Sequence, residues 1–256
     1  MTSFTLAQSL YPRLGFNRRN SDNLPMIGPT SIRAIERSYL NKKSKAFCDL
    51  PGKCIIASDN NFRMVDKGYL YSISRDRYIF WSVDLKEYNG NECFYHSFPV
   101  ALEGGYTVMA LGYSLMLIDK FGKLKYCFGD DGAMFDDSRC APNITYDGDM
   151  VHSSIMGFVY RIGHDHISEI GNYGYDVVPP AVYDDNTIAV SGYSGLGFAR
   201  VSLHGDIIWR SKLQDADLVP TINRSQFSAV GSVNEGISQI FAPDGQVVGQ
   251  YNQPAL

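Results

Sequence analysis

The sequence predicts an all-β fold, a β-propeller of five four-stranded blades with an extended N-terminal arm, and three observations lead there. From residue 46 a unit recurs: a proline stands before its first strand at Pro51, Pro99, Pro142, Pro180 and Pro220, at spacings of 48, 43, 38 and 40. A second landmark, the turn between the third and fourth strands, keeps step at Arg77, Gly122, His166, Gly205 and Gly245, at spacings of 45, 44, 39 and 40. The interval matches one four-stranded blade. Third, 17 Tyr, 14 Phe and 24 Gly favour strands and tight turns over helices.

The stretch from Val178 to Trp209 shows the unit most clearly, as four short apolar runs broken by Asp184-Asp185-Asn186, Gly192-Tyr193 and His204-Gly205-Asp206. In the second unit the strands read Val100–Leu102, Tyr106–Leu111, Leu115–Asp119 and Leu124–Phe128. Glycine and Asx residues fall between the runs, where a positive φ is needed. An aromatic recurs four residues beyond the last turn, as Trp81, Tyr126 and Trp209, with Ile170 and Gly249 in the remaining units. A large ring there is expected to cover the edge of its own blade and dock on the next.

Residues 1–45 do not join the pattern and are read as an arm packed on the propeller, which fills 46–256. Ser31 to Leu40 fits a strand or one short helix equally. Five units are clear, and a sixth built partly from the arm is the alternative. The arm carries eight Lys/Arg against Asp22 and Glu36, whereas the rest carries fifteen against twenty-five Asp/Glu. A basic arm against an acidic body follows. The formal net charge of −4 argues against a nucleic-acid partner.

Cys48, Cys54, Cys93, Cys127 and Cys140 are odd in number and show no Cys-x-x-Cys spacing, which fits a reducing compartment. The first residues lack a basic start and an apolar block, and the uncharged run from Gly104 to Ile118 is too short to span a bilayer. A cytoplasmic protein with no membrane partner is the expectation.

Gly68-Tyr69-Leu70-Tyr71-Ser72-Ile73-Ser74 leading to Trp81, and Phe198-Ala199-Arg200-Val201 leading through Gly205 to Trp209, resemble the pyrroloquinoline-quinone-type (PQQ-like) repeat propellers. The arm from Tyr11-Pro12 to Gly28-Pro29 is similar to the segment leading into the first blade of that family. The resemblance implies fold, and little about function. The chain is too short for the eight blades of the quinoprotein dehydrogenases and lacks their adjacent cysteine pair, so no cofactor is expected, neither quinone nor calcium.

Chemistry is expected on the face carrying the loops between blades and the turns between second and third strands. Two of those loops are long, Glu87 to His96 and Gly129 to Arg139. The second gathers Asp130, Asp131, Asp136 and Asp137, and a partly desolvated carboxyl there is a usable general acid. The spacing gives no Asp-x-Asp-x-Asp-Gly calcium loop, and His164 and His166 lack a third ligand, so no metal site is assigned. The catalytic candidates are Asp136, Asp137, His96 and His152. The ligand-binding candidates are Tyr113, Tyr193, Tyr95, Arg139 and Asp217. These residues point to recognition of a small organic molecule at the channel mouth, with cofactor-independent acid/base catalysis of cyclase, isomerase or lyase type. A protein-interaction scaffold is the alternative, and a glycan-binding lectin the second.

Overall fold

The computed structural model describes residues 3–5, 53–66, 68–74, 76, 78–89, 97–128, 140–175 and 178–252. They form five antiparallel four-stranded sheets, each a meander in chain order. Sheet one is β1 (Lys53–Ile56), β2 (Phe62–Asp66), β3 (Tyr69–Ile73) and β4 (Ile79–Asp84). Sheet two is β5 (Val100–Ala101), β6 (Thr107–Leu111), β7 (Ser114–Ile118) and β8 (Leu124–Phe128). Sheet three is β9 (Asn143–Ile144), β10 (Met150–Ser153), β11 (Phe158–Ile162) and β12 (Ile167–Asn172). Sheet four is β13 (Ala181–Val182), β14 (Ile188–Ser191), β15 (Phe198–Val201) and β16 (Ile207–Arg210). Sheet five is β17 (Thr221–Ile222), β18 (Ser228–Ser232), β19 (Ile237–Phe241) and β20 (Val247–Asn252). This is a five-bladed β-propeller, as the repeat spacing predicts. First strands of neighbouring sheets approach one another, β1 to β5, β9 to β13 and β13 to β17.

The core is a set of seams between sheets. Along β6, Val108 and Ala110 pack toward sheet three, and Met109 and Leu111 toward sheet one. All five residues of β6 are buried, so a period-2 strand here is apolar on both faces. The seam between sheets three and four holds Val151, Val159, Val182 and Val190. That between sheets four and five holds Tyr183, Phe198, Ile222 and Phe241.

Among the described residues, the four seams between consecutive sheets are clasped at their outer edges. A register shift near the start of the fourth strand leaves Phe80, Lys125, Ile208 and Val248 opposite no residue of the third strand. Such a bulge re-aims the residue that follows it. In sheet one that residue is Trp81, whose indole N–H donates to the Lys120 carbonyl of sheet two at 2.7 Å. In sheet four it is Trp209, which donates to the Pro243 carbonyl of sheet five at 3.0 Å. The rings lie under Gly122 and Gly245, where an added Cβ would stand 2.8 Å and 2.6 Å from ring carbons. Both glycines have positive φ, +82° and +89°. Tyr126 meets His164 of sheet three edge-on at 5.7 Å. In sheet three the shift falls at Ile170 instead, which is buried beneath Gly205 of sheet four.

Two arginines reinforce the clasps. Arg63, fully buried on β2, donates to Ser72 Oγ at 2.8 Å and Asp59 at 2.7 Å, and lies over the Trp81 ring at 5.1 Å. Arg200 on β15 donates to Asp185 at 2.7 Å and to the same Pro243 carbonyl at 2.9 Å that Trp209 uses. Burial alone raises the Asp59 carboxyl, but the Arg63 guanidinium and the Asn61 N–H outweigh it and hold the pKa below the ordinary value.

One element departs from expectation. The start of the first long loop is a short helix, α1 (Lys86–Asn89), with the Asp84 carboxylate accepting from the Lys86 N–H at 3.0 Å. Of the arm, Ser3, Phe4 and Thr5 are described, with Phe4 buried between sheets two and three; residues 6–45 lie outside the described residues. Among the described residues no helix is long and apolar enough to cross a membrane.

The clasp geometry makes a graded prediction. Gly245→Ala is expected to cost about 2 kcal/mol or more, because a strained φ is joined by overlap with a ring. Gly236→Ala, at φ +64° with nothing within 4 Å of the added carbon, is expected to cost about 1 kcal/mol. Urea unfolding of the two variants beside the parent checks the difference.

Candidate functional site

The connections between sheets and the turns between second and third strands share one end of the antiparallel sheets. There the chain leaving β12 folds back over two of those turns. The Tyr173 N–H donates to the Gly157 carbonyl at 2.8 Å, and the Leu196 N–H to the Tyr173 carbonyl at 3.2 Å. Tyr175 and Tyr193 exchange both backbone bonds at 2.8 Å. Glycine is required for so close an approach. A Cβ on Gly174 would sit 2.7 Å from the Tyr193 carbonyl oxygen, at a φ of +109°.

Between these strands of backbone lies a groove of about 420 Å³. Met156, Phe158, Tyr173, Tyr175 and Leu196 form its apolar walls, and Asn172 its polar end. The Asn172 amide is already committed, donating to the Met156 carbonyl and accepting from the Gly174 N–H, each at 3.2 Å. Met156 at 44% and Tyr175 at 54% exposure leave the groove open to water. Burial first, then the Asp206 and Glu169 charges, raise the Tyr173 phenol above its ordinary value, so it is a protonated donor at neutral pH.

Of the nearby carboxylates, Asp215 reaches the groove at Ser194, while Asp217 and Glu235 hold backbone of the next turn and connection. Asp215 accepts from the Ser194 N–H at 2.9 Å, and Asp217 from the Val233 N–H at 2.8 Å. Glu235 accepts from the Gln214 and Asp215 N–H groups at 3.0 and 3.2 Å.

Of the residues singled out from the sequence, Tyr193 pairs by backbone with Tyr175 and directly precedes the groove residue Ser194, but is not itself part of the lining. Asp217 lies in the connection from β16 to β17, half-buried and capping a turn. Tyr113 occupies the equivalent turn of sheet two, exposed and away from the groove's lining residues. His152 lies fully buried within β10, and burial pulls its imidazole down to a pKa of about 3, so it is uncharged at neutral pH. Asp136, Asp137, His96, Tyr95 and Arg139 lie outside the described residues, as do Asp130 and Asp131. Sequence reading missed Tyr173 and Tyr175. The signal was there as Tyr-Gly-Tyr directly after a fourth strand, matched by Gly-Tyr in the turn it folds onto. Among the described residues no cluster of three His, Cys, Asp or Glu side chains is placed to hold a metal ion.

No family model and no curated protein sequence matches the chain. Solved structures do. BamB from Moraxella catarrhalis superposes with a TM-score of 0.61 at 15% identity, over 78% of this chain and 63% of that one. The chain thus spans less than two thirds of that protein's length. Virginiamycin B lyase from Staphylococcus aureus, solved with quinupristin, gives 0.60 at 13% identity, over 79% and 70% of the two chains. A streptogramin B lyase gives 0.59 at 11% identity, over 80% and 69%. At such identities the likeness establishes the propeller fold and stops there.

His152 gives the site's pH prediction. Its folded pKa of about 3 lies below the ordinary 6.5. Between the two values the unfolded chain holds a proton that the folded chain does not, so folding is weakened as pH falls through that window. This contribution is fully present above about pH 6.5, and each unit below costs up to about 1.4 kcal/mol. Urea midpoints measured from pH 7 to pH 4 are expected to fall less steeply for His152→Leu than for the parent.

Proposed function

We propose that the protein is a recognition propeller, and that the groove between sheets three and four holds a short segment of a protein partner. The observation that carries this is the groove's composition: an open trough of two tyrosines, a phenylalanine, a methionine and a leucine over a backbone fixed by reciprocal hydrogen bonds. Aromatic side chains on a rigid backbone give large contact area at small entropic cost, and methionine adapts to varied partners. The propeller neighbours are compatible with this use, since a propeller is a frame on which unrelated sites are built.

We also read the repeats as the pyrroloquinoline-quinone type. The seating of Trp81 under Gly122 and of Trp209 under Gly245 supports that reading. Small-molecule acid/base catalysis is the weaker alternative. Among the described candidates His152 is buried and neutral, and the Asp215 and Asp217 carboxylates are engaged in holding turns. A lectin would repeat one binding set around the ring. Here the tyrosine walls belong to one seam, whereas Leu213 and Ala216 line the connection that follows sheet four.

A random peptide library selected on the immobilised protein is expected to yield sequences whose affinity falls at least tenfold with Tyr175→Asp, about 1.4 kcal/mol. Tyr251→Asp, changing an exposed ring on β20, should leave them unaffected. Peptides indifferent to Tyr175 would refute the assignment.

A further inference from the structure

The seam between sheets two and three contains a stretch of chain from outside both. Phe4 is buried to 2% exposure among Val100, Leu102, Ile144 and Met150, with its ring edge-on to Phe128 at 6.2 Å. Its neighbours Ser3 and Thr5 stay exposed. The tripeptide joins the first turns of two sheets through its backbone alone. The Phe4 N–H donates to the Gly148 carbonyl of sheet three at 2.7 Å, and the Glu103 N–H of sheet two donates to the Thr5 carbonyl at 2.8 Å. Gly148 makes room for it, because a Cβ there would stand 2.5 Å from that of Ser3, at a φ of +91°.

Among the described residues, three other seams are joined at the same level by side chains of the turns themselves. Ser58 Oγ donates to the Leu102 carbonyl and accepts from the Gly105 N–H, between sheets one and two. Tyr146 pairs with Asn186 and Asp184, between sheets three and four. Asp184 and Gln226 pair between sheets four and five. At the second seam the equivalent link is a separable piece of backbone with one apolar anchor, which is how an extended peptide is bound.

We propose that this seam is a strand-accepting site for an extended segment with phenylalanine at its anchor position, and that its occupant in trans is the N-terminal segment of a second copy of this chain. Residues 6–52 lie between the tripeptide and β1, 47 residues with a contour of about 160 Å, ample for the same segment to reach a neighbouring molecule. Both hydrogen bonds and the buried ring are non-covalent, so exchange between copies conserves every contact, as in domain swapping.

Two measurements on the full chain test this. The first adds a synthetic peptide of residues 2–7 to the Phe4→Ala variant. The melting temperature is expected to rise on the order of 5 °C at saturation, with no rise for the same peptide carrying alanine in place of phenylalanine. The second mixes Phe4→Ala, whose seam lacks its anchor, with Gly148→Val, whose seam is blocked but whose N-terminus is intact. A dimer by light scattering in the mixture, absent from either variant alone, is the expected result. No thermal shift, or an equal shift with both peptides, would overturn the strand-accepting site. A peptide effect without the mixed dimer would overturn the second copy as occupant.

Discussion

An aromatic ring seated under a glycine of the neighbouring sheet is the contact on which the rest of this propeller depends. Trp81 and Trp209 each fix two sheets at once, by covering the glycine and by donating the indole N–H to a carbonyl of the same turn. The contact needs three features together. A bulge at Phe80 or Ile208 turns the ring toward its neighbour, a positive φ shapes the receiving turn, and the absence of a Cβ admits the ring. The buried arginines belong to the same arrangement. Arg200 and Trp209 converge on one carbonyl, and the Phe198, Trp209 and Phe241 rings pack on one another with centroids 5.1 to 5.4 Å apart.

With the outer edges clasped and the valine-rich seams packed, the ends of the sheets are free to vary. That is where the groove arises. After β12 the chain does not pass straight to β13 but pairs Tyr175 with Tyr193 of the next sheet's turn. The Tyr175 ring of that connection is thereby left exposed while Tyr173 stays buried in the seam, and the carboxylates of Asp215 and Asp217 keep nearby turns in place. Serine hydroxyls repeat the device farther in, with Ser153 donating to the Val178 carbonyl and Ser191 to the Leu218 carbonyl. The groove therefore draws its rigidity from backbone and turn contacts.

The fold was legible in the sequence because its requirements leave residues that few others replace. Gly122, Gly205 and Gly245 mark turns where a side chain would collide, and prolines at 99, 142, 180 and 220 immediately precede inner strands. The rings at Trp81 and Trp209 were legible by their fixed distance from those turns. Other features left no such trace. Phe80, Lys125, Ile208 and Val248 all occupy bulges, so residue type does not announce one. Arg63 reads as a surface residue, and only the geometry of Ser72, Asp59 and Trp81 around it explains its burial. His152 drew attention for its chemistry, although Met150-Val151-His152-Ser153 is a strand buried on both faces. Tyr173 and Tyr175 become a site only when the connection folds back onto two turns that are distant in sequence.

If the seated ring governs the seam, its energy and that of the glycine above it belong to one interaction. A double-mutant cycle between Trp209→Leu and Gly245→Ala measures this directly. The expected result is strong coupling: with Trp209 already replaced, Gly245→Ala costs only the strain of its backbone, about 1 kcal/mol. Strictly additive costs would mean that ring and glycine act separately, and would contradict the clasp.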